Sequence, residues 1–468
     1  QFTANAAQGA SESCRHGCAV AHCAQSKDAA ACRCQSCACL TCCAQNKGSP
    51  ASASTGTERR AAASSTCARA AASSADARSA STAAYAAYKS IRGGLSLPDT
   101  NTQLIGVTTA GGATYGLNSG LQAVAPFWSQ GKLAVMANVG TLARPTTRAE
   151  IVAGTAVLPS QLYSHSDQIA QQQAGNANGG GTGWGGRCAD AVQTLNGTSR
   201  FPPSVSLSGS ALYCSGSTVQ AASLIPGFNL SQDGLSSWPS SAAAARLKGL
   251  QDLTGIDAGI ALVKSANQVR ADAITLNQLL AGSGGATLAT TFPGTSLGQQ
   301  LKQVAQFIKL RGTLGMSRQV FFTSIGGFDT HSSQSWAQWD LLTNVAEAMA
   351  AFYNATVELG VANQVTTFTQ SDFGRTLQPS GSGSDHGWGN HHLILGGSVK
   401  GGNVYGQFPF PALGGNDDAG NRGALIPSTS LEQFGATLGK WFGVSSAQMA
   451  AAFPNLSLFP VTDLGFMG

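Results

Sequence analysis

The stretch "RQVFFTSIGGFDTH", residues 318 to 331, joins a strand-like apolar run to a polar loop. The run "QVFFTSI" predicts a buried β-strand, and Asp329 and His331 follow it directly. Open α/β sheets bind ligands at the carboxyl ends of their strands. Side chains two residues apart in an extended chain share one face, so this carboxylate and this imidazole can converge on one cation.

Helical patterns lie on both sides of this strand. In "SLGQQLKQVAQFIKL", residues 296 to 310, apolar residues recur at spacings of three and four, as one helix face requires. Two further helices are predicted at 335–361 and 430–444, and further strands at 132–140, 203–209, 363–370 and 391–397. Because helices lead into β runs that end in polar residues, the chain predicts an α/β fold with a mostly parallel sheet and helices on both faces. Helical patterns at about 240–290 predict a helical insertion.

Two more polar groups follow predicted strands or lie among glycines. Asp372 and Arg375 come directly after "QVTTFT", and "SDHGWGNHH" contributes Asp385, His386, His391 and His392. These groups predict one shared polar site that holds a divalent metal. Oxygen and nitrogen ligands without thiolates suit zinc, manganese, magnesium or calcium. The alternative is that each group only braces its own loop through hydrogen bonds.

The motif "LYSHSDQ" offers a candidate nucleophile. Ser164 or Ser166 could be activated by His165 between them. Adjacent residues on a strand point to opposite faces, however, so spacing alone does not establish a dyad. A loop-bracing role for the motif is the competing interpretation.

Cys188 and Cys214 lie 26 residues apart, outside the cysteine-rich start of the chain. They could form one disulfide if the protein is exported, or remain as two buried free thiols.

Composition and charge exclude several classes of protein. The 468 residues are 43% hydrophobic and 10% charged, which is typical of a globular chain. Of the net charge of +5, residues 1 to 84 supply four, from eight Lys and Arg against four Asp and Glu, so the rest carries only +1. A nucleic-acid-binding surface is therefore not expected. No run approaches the roughly 18 apolar residues that a transmembrane segment needs.

Residues 1–83 differ from everything that follows. They hold ten of the twelve cysteines, six of them in "ACRCQSCACLTCC" at 31–43, and only three large apolar side chains: Phe2, Val20 and Leu40. The favoured interpretation is a low-complexity segment that is disordered or translated out of frame, with no strand in a regular layer before residue 80. A thiolate metal cluster, a disulfide-rich extension and a solvated linker are the alternatives. No apolar signal-peptide core and no initiating Met are visible.

Several motifs after this segment carry a family resemblance. They are, in order, "AYAAYKSIRGGLSL", "GKLAVMANVGTLARPTTR", "LPSQLYSHSDQ", "GGFDTHSSQ", "SDFGRT", "GSDHGWGNHHLILGG" and "VKGGNVYGQFP". From about Ala84 to Gly468 the chain resembles the exported bacterial family called domain of unknown function 1501. That family is related to the alkaline phosphatase and sulfatase superfamily. The resemblance implies one doubly wound α/β domain over 84–468, with a metal site at the strand ends and a periplasmic or extracellular location.

The resemblance also implies roles for the polar residues. Asp329 and His331 resemble ligands of a first metal, together with His391 or His392. Asp385 and His386 resemble the Asp-His pair of a second metal. Asp372 replaces a more usual glutamate, and Arg375 would orient it or bind an anionic substrate.

The chain departs from the family at its start. Members carry a strand that ends in Gly-Gly-Asn-Asp, whose aspartate is expected to reach the metals, and no such motif precedes Tyr85. The "GGND" at 414–417 belongs to a C-terminal loop. The expected outcome is at most one tightly bound divalent metal and little or no ester hydrolysis.

Two classes of function therefore remain open. One is an exported metal-dependent hydrolase of phosphate or sulfate esters. The other is a non-catalytic exported protein that keeps the fold for binding or surface assembly.

Overall fold

The structure, a computed structural model, describes residues 39–44, 75–76, 82–98, 103–199, 201–227, 238–256, 259–281 and 286–468. All of them fall in one compact unit that spans residues 36–468. The remainder of the predicted low-complexity segment, residues 1–38, 45–74 and 77–81, lies outside the described residues.

The strands of the described chain are β1 (Cys39–Ala44), β2 (Ala75–Asp76), β3 (Leu104–Thr108), β4 (Thr114–Asn118), β5 (Leu133–Gly140), β6 (Ser204–Ser206), β7 (Ala222–Ser223), β8 (Arg318–Thr323), β9 (Val365–Phe368), β10 (Gly374–Arg375), β11 (His386–Gly387), β12 (Asn390–Gly396), β13 (Val404–Tyr405) and β14 (Thr429–Ser430). Each of the five predicted strand regions overlaps one of these strands.

The α-helices of the described chain are α1 (Thr82–Arg92), α2 (Pro126–Ser129), α3 (Arg148–Val152), α4 (His165–Ala174), α5 (Trp184–Val192), α6 (Ala243–Thr254), α7 (Ala261–Ala281), α8 (Ser296–Lys309), α9 (Arg311–Leu314), α10 (Gln334–Glu358), α11 (Leu431–Phe442) and α12 (Ser446–Ala452). The predicted helices at 296–310, 335–361 and 430–444 are confirmed. The two helices predicted within about 240–290 are α6 and α7.

A nine-stranded open sheet forms the centre of the described residues, in the order β13-β5-β12-β9-β1-β8-β6-β7, with β14 also paired to β5. The mixed α/β class is thus confirmed, but a doubly wound, mostly parallel sheet is not. Of the eight strand pairings four are parallel and four antiparallel, because β1 and β12 run against the other seven strands. For β12 the reason is its connection, since no crossover helix lies between β9 and β12.

Strand β1 lies at the middle of this sheet. It pairs antiparallel with β8 on one side and with β9 on the other, with Cys39 opposite Thr323 and Leu40 opposite Phe368. The expectation that no strand before residue 80 joins a regular layer is therefore wrong for residues 39–44. A strand between two others satisfies its backbone groups through both neighbours, so pairing does not depend on large apolar side chains.

Helices cover the sheet on both faces. Phe321 and Phe322 are consecutive in β8 and so point to opposite faces. The Phe321 ring packs on Phe307 of α8, whereas Phe322 packs on Tyr213, which in turn contacts Trp184 of α5. Helix α8 packs with α10, and α5 packs with α11 and α12. These groups are the two helical layers, and the buried apolar residues between them and the sheet form the core.

The helical insertion contributes little to that core. Helices α6 and α7 contact each other, and α6 has no buried residue. Of all the helices that the structure describes, none combines the length and the apolar character needed to cross a membrane.

Candidate metal centre

Two strand ends and one hairpin bring the polar groups together. Strands β8 and β9 run in the same direction, so their carboxyl ends meet at one edge of the sheet. Asp329 and His331 follow β8, and Asp372 follows β9. The short β10–β11 pair then places Arg375 opposite His386. Convergence of these groups, which the sequence predicted, is confirmed by the contacts among them.

The Asp329 carboxylate is the centre of the cluster. Its Oδ1 lies 2.9 Å from Nε2 of His386 and 3.0 Å from Nε2 of His331. Its Oδ2 lies 3.4 Å from Nε2 of His165. The Nε2 atoms of His331 and His386 are 3.2 Å apart. Three imidazoles thus direct the same ring nitrogen toward one carboxylate.

Two of these histidines have an acceptor within hydrogen-bond distance of their other nitrogen. His165 Nδ1 lies 2.8 Å from Oδ2 of the buried Asp372, and His386 Nδ1 lies 3.1 Å from the carbonyl oxygen of Tyr163. His331 Nδ1 faces Asp385 Oδ1 at 3.6 Å, which is too far for a good hydrogen bond. With a cation bound, an acceptor at Nδ1 would hold a proton there, so that Nε2 serves as the ligand atom.

The charge state of Asp329 follows from its surroundings. Burial raises the pKa of this carboxyl, but hydrogen bonds from His165 and His386 and the charge of the nearby imidazoles lower it further than burial raises it. The pKa therefore lies well below its usual range. Asp329 is ionised at any pH at which its neighbours can act as ligands.

Arg375 holds the loops of the cluster together. Its side chain is 1% exposed, and its guanidinium donates to the carbonyl oxygens of Phe328 and Ser384 and, at 3.2 Å, to Asp329 Oδ1. Of the two roles that the sequence suggested, orienting a carboxylate fits this geometry, and the carboxylate is Asp329. A buried guanidinium with these partners does not face solvent, where a substrate would arrive.

The arrangement of nitrogen and oxygen atoms fits one cation. A tetrahedral zinc site with bonds of about 2.0 to 2.1 Å puts neighbouring ligand atoms about 3.3 Å apart. The four distances given above, three between an Nε2 atom and a carboxylate oxygen and one between the Nε2 atoms of His331 and His386, run from 2.9 to 3.4 Å. One ligand atom each from His165, Asp329 and His386 lies within 4.8 Å of the other two. Imidazole-rich sites of this kind suit zinc better than magnesium or calcium, which prefer oxygen.

Two predicted ligands lie away from this cluster. His391 and His392 are buried in β12. His391 Nδ1 accepts the Asn138 backbone N–H at 3.0 Å, and its ring stacks on Phe408. Burial lowers the pKa of His391 to about 4 and that of His392 to about 3. The structure thus places them as neutral core residues, because they occupy a central strand and not a loop at its end.

Asp372 and Asp385 occupy outer positions. Asp372 contacts His165, and Asp385 is paired with Arg422 and faces His331. Asp385 and His386 therefore do not form a separate second pair, since consecutive residues entering β11 point in different directions.

The "LYSHSDQ" motif starts a helix and is not a strand. Ser164 precedes α4, and its hydroxyl donates to Asp167 Oδ2 at 2.6 Å. His165 is directed toward Asp329 and Asp372. The motif supplies a histidine to the cluster, and the serine braces the first turn of the helix.

Cys188 and Cys214 are buried free thiols, and burial raises the pKa of both to about 12. Of the two alternatives, the disulfide is not formed.

Sequence reasoning missed two contributors. Tyr163 acts through its backbone carbonyl, which no side-chain pattern reveals. Arg422 lies in the loop "GNRG", far along the chain from Asp385, and no local signal connects them.

No curated protein matches this chain. A family model described as protein of unknown function (DUF1501) matches residues 121–453, which include every residue of the cluster. The match covers well over half of the 468 residues, and the chain belongs to the DUF1501 family.

Proposed function

We propose that the cluster around Asp329 binds one divalent cation, with zinc preferred, and that the protein hydrolyses phosphate or sulfate esters with it. The observation that supports the proposal is that His165, Asp329 and His386 each offer one ligand atom within 4.8 Å of the other two, with His331 Nε2 3.0 Å from the Asp329 carboxylate beside them. These three donors, with His331 on the exposed side, all lie within residues 165–386. They need no aspartate from an additional strand, so a single-cation site is the form that the residues support.

Solvent exposure favours catalysis over a purely structural metal. Structural zinc sites are closed by four protein ligands, whereas catalytic sites keep an open position. The side chain of Asp329 is 36% exposed and that of His331 is 50% exposed. Solvent therefore reaches the cluster from the side of His331.

The residues of the chain have distinct parts in such a reaction. A bound divalent cation would act as a Lewis acid on an ester oxygen and lower the pKa of a water molecule. Asp329 supplies the negative charge that holds the cation, and Arg375 fixes the orientation of Asp329. Asp372 keeps the Nδ1 proton on His165. Arg422 and Asp385 lie beside His331 at the exposed side, where Arg422 adds positive charge for an anionic substrate.

Metal content and activity of the purified chain test this proposal. We expect about one zinc per chain after dialysis, and hydrolysis of aryl phosphates or sulfates that a chelator abolishes and zinc restores. Asp329→Asn should lose both metal and activity, whereas Asp463→Asn, at an exposed carboxylate paired with Lys440, should lose neither. A metal content near zero would contradict the cation site. One zinc per chain without turnover of any phosphate or sulfate ester would contradict the hydrolase and favour a non-catalytic binding protein.

We also propose that the protein is exported, which rests on the family resemblance alone. Fractionation of cells that make the full-length native protein tests this point, and recovery in the cytoplasm only would contradict it.

A further inference from the structure

Left-handed backbone at residues other than glycine, asparagine apart, lies beside the histidines that surround Asp329. Among the described residues, four that are not glycine have positive φ: Asn138 (51°), Gln161 (49°), Tyr163 (77°) and Ser333 (51°). Asparagine often adopts left-handed backbone angles, but glutamine, tyrosine and serine adopt them at a cost in conformational free energy. Gln161 and Tyr163 precede His165 by four and two residues, and Ser333 follows His331 by two. Each of the three less usual cases thus lies next to a cluster histidine.

The turn at 161–164 positions two histidines at once. The Ser164 N–H donates to the Gln161 carbonyl oxygen at 2.9 Å and closes the turn, after which α4 begins at His165. The positive φ of Tyr163 lies within this turn, and its carbonyl oxygen is the acceptor for His386 Nδ1 at 3.1 Å. A change in this turn would therefore move His165 and release His386 together.

Ser333 ties the loop of His331 to the loop of His386. Its N–H donates to Ser382 Oγ at 3.0 Å, and the N–H of Gln334 donates to the Ser382 carbonyl oxygen at 3.0 Å. The two loops are so close that a Cβ on Gly383 would lie 2.3 Å from the carbonyl carbon of His331. The left-handed residue gives the chain the sharp turn that it needs between His331 and α10.

We propose that Gln161, Tyr163 and Ser333 are positioning residues, whose left-handed backbone holds His165, His331 and His386 in ligand geometry before a cation binds. Strained backbone persists only where the surrounding contacts determine it, and it is concentrated at functional sites. A residue with a Cβ in such a turn has few other conformations nearby, whereas glycine has many. The strain thus destabilises the fold slightly and stiffens the site. The part of this inference that concerns the cation rests on the proposed function.

Pairs of glycine and alanine variants separate the effect of the strained backbone from the effect of losing the side chain. Tyr163→Gly and Tyr163→Ala both remove the phenol and differ only in the Cβ, and Ser333→Gly and Ser333→Ala both remove the hydroxyl. Relative to the alanine partner, we expect each glycine variant to unfold about 1 to 3 °C higher without metal, because strain is relieved. We expect its zinc affinity, measured by chelator competition, to be about 10-fold weaker, as when support around metal ligands is lost.

A metal-free measurement keeps the inference independent of the proposed function. The Nδ1 proton of His386 should give a protected NMR signal in Tyr163→Ala that is lost in Tyr163→Gly. Equal zinc affinity within each pair, or a protected signal in both Tyr163 variants, would overturn the inference. If the unmodified chain binds no zinc, the proposed function fails, and the NMR comparison alone decides whether these residues position the histidines.

Discussion

The three histidines of the cluster and the two histidines of β12 are opposite in environment, although one of the three is close to β12 in sequence. His386 lies only five residues before His391. His386 sits at the hairpin beyond the sheet edge, with Tyr163 at Nδ1 and Asp329 at Nε2. His391 lies within the sheet, between an Asn138 N–H and the Phe408 ring. The same residue type is a candidate ligand in one place and a neutral core side chain in the other.

The cluster histidines and the β12 histidines differ in the group that contacts Nδ1. In the cluster, the acceptors at Nδ1 of His165 and His386 would hold a proton there and let Nε2 bind a cation beside the Asp329 carboxylate. In β12, the Nδ1 of His391 is itself an acceptor, and its ring is shielded from solvent. A histidine buried without a negative partner stays neutral because desolvation disfavours the imidazolium.

The largest effect is expected at the centre of the cluster. Asp329→Asn keeps the shape of the side chain but removes its charge, so zinc affinity should fall by more than about 100-fold, since outer partners alone are worth about 10- to 100-fold. His391→Gln should leave the affinity unchanged. Chelator competition on both variants checks the comparison. Equal loss in the two would mean that the β12 histidines belong to the cation site after all.

The two buried histidines of β12, His391 and His392, should instead control the stability of the fold at acidic pH. The folded-state pKa of His391 is about 4 and that of His392 about 3, below the ordinary value of 6.5. The unfolded chain therefore binds protons first as the pH falls. The contribution of the two histidines to the free energy of unfolding is fully present above about pH 6.5. It is lost as the pH falls toward 4 for His391 and toward 3 for His392, by roughly 3 and roughly 5 kcal/mol respectively.

Urea unfolding of metal-free protein between pH 7 and pH 4 measures this loss. His392→Gln should flatten the dependence on pH relative to the unmodified chain. An unchanged slope in His392→Gln would show that its burial does not govern the pH response.

Much of the site was predictable because strand ends can be recognised in the sequence. "QVFFTSI" and "QVTTFT" marked the two strands, and the polar residues after them converge as predicted. The sequence could not show which of these residues lie at the centre of the cluster and which lie behind them, since this depends on side-chain direction. Asp372 and Asp385 lie behind histidines, and His165 comes from a helix start 164 residues before Asp329.

The sheet was only partly predictable for a related reason. Apolar runs identified β5, β8, β9 and β12, but direction depends on connections, and β12 returns without a crossover helix. "CLTCCA" has one large apolar residue, so hydrophobic pattern could not indicate the strand β1 between β8 and β9. A central strand is defined by backbone pairing with its neighbours, which the sequence does not display.

A smaller loss of zinc affinity is expected when Asp372, the acceptor at His165 Nδ1, is replaced. Asp372→Asn retains an oxygen near Nδ1 but not its charge, so zinc affinity should weaken by about 10-fold. Asp167→Asn is the matched control, because Asp167 lies in the same first turn of α4 and contacts Ser164. Isothermal titration of both variants is the measurement. If both variants weaken binding alike, the loss reflects the helix start and not the tautomer of His165.

The smallest effect is expected at the exposed side of the cluster. Asp385 is 35% exposed and faces His331 Nδ1 at 3.6 Å, so solvent screens its charge, and Asp385→Asn should weaken zinc binding only about 3-fold. Arg422→Gln should act in the opposite direction, because it removes a positive charge paired with Asp385 and leaves more negative charge beside the cation. An affinity about 3-fold tighter is expected. Both effects should shrink when the titration is repeated at high salt. A loss of 10-fold or more in Asp385→Asn, independent of salt, would show that Asp385 contacts the cation itself and that the cluster has a fifth ligand.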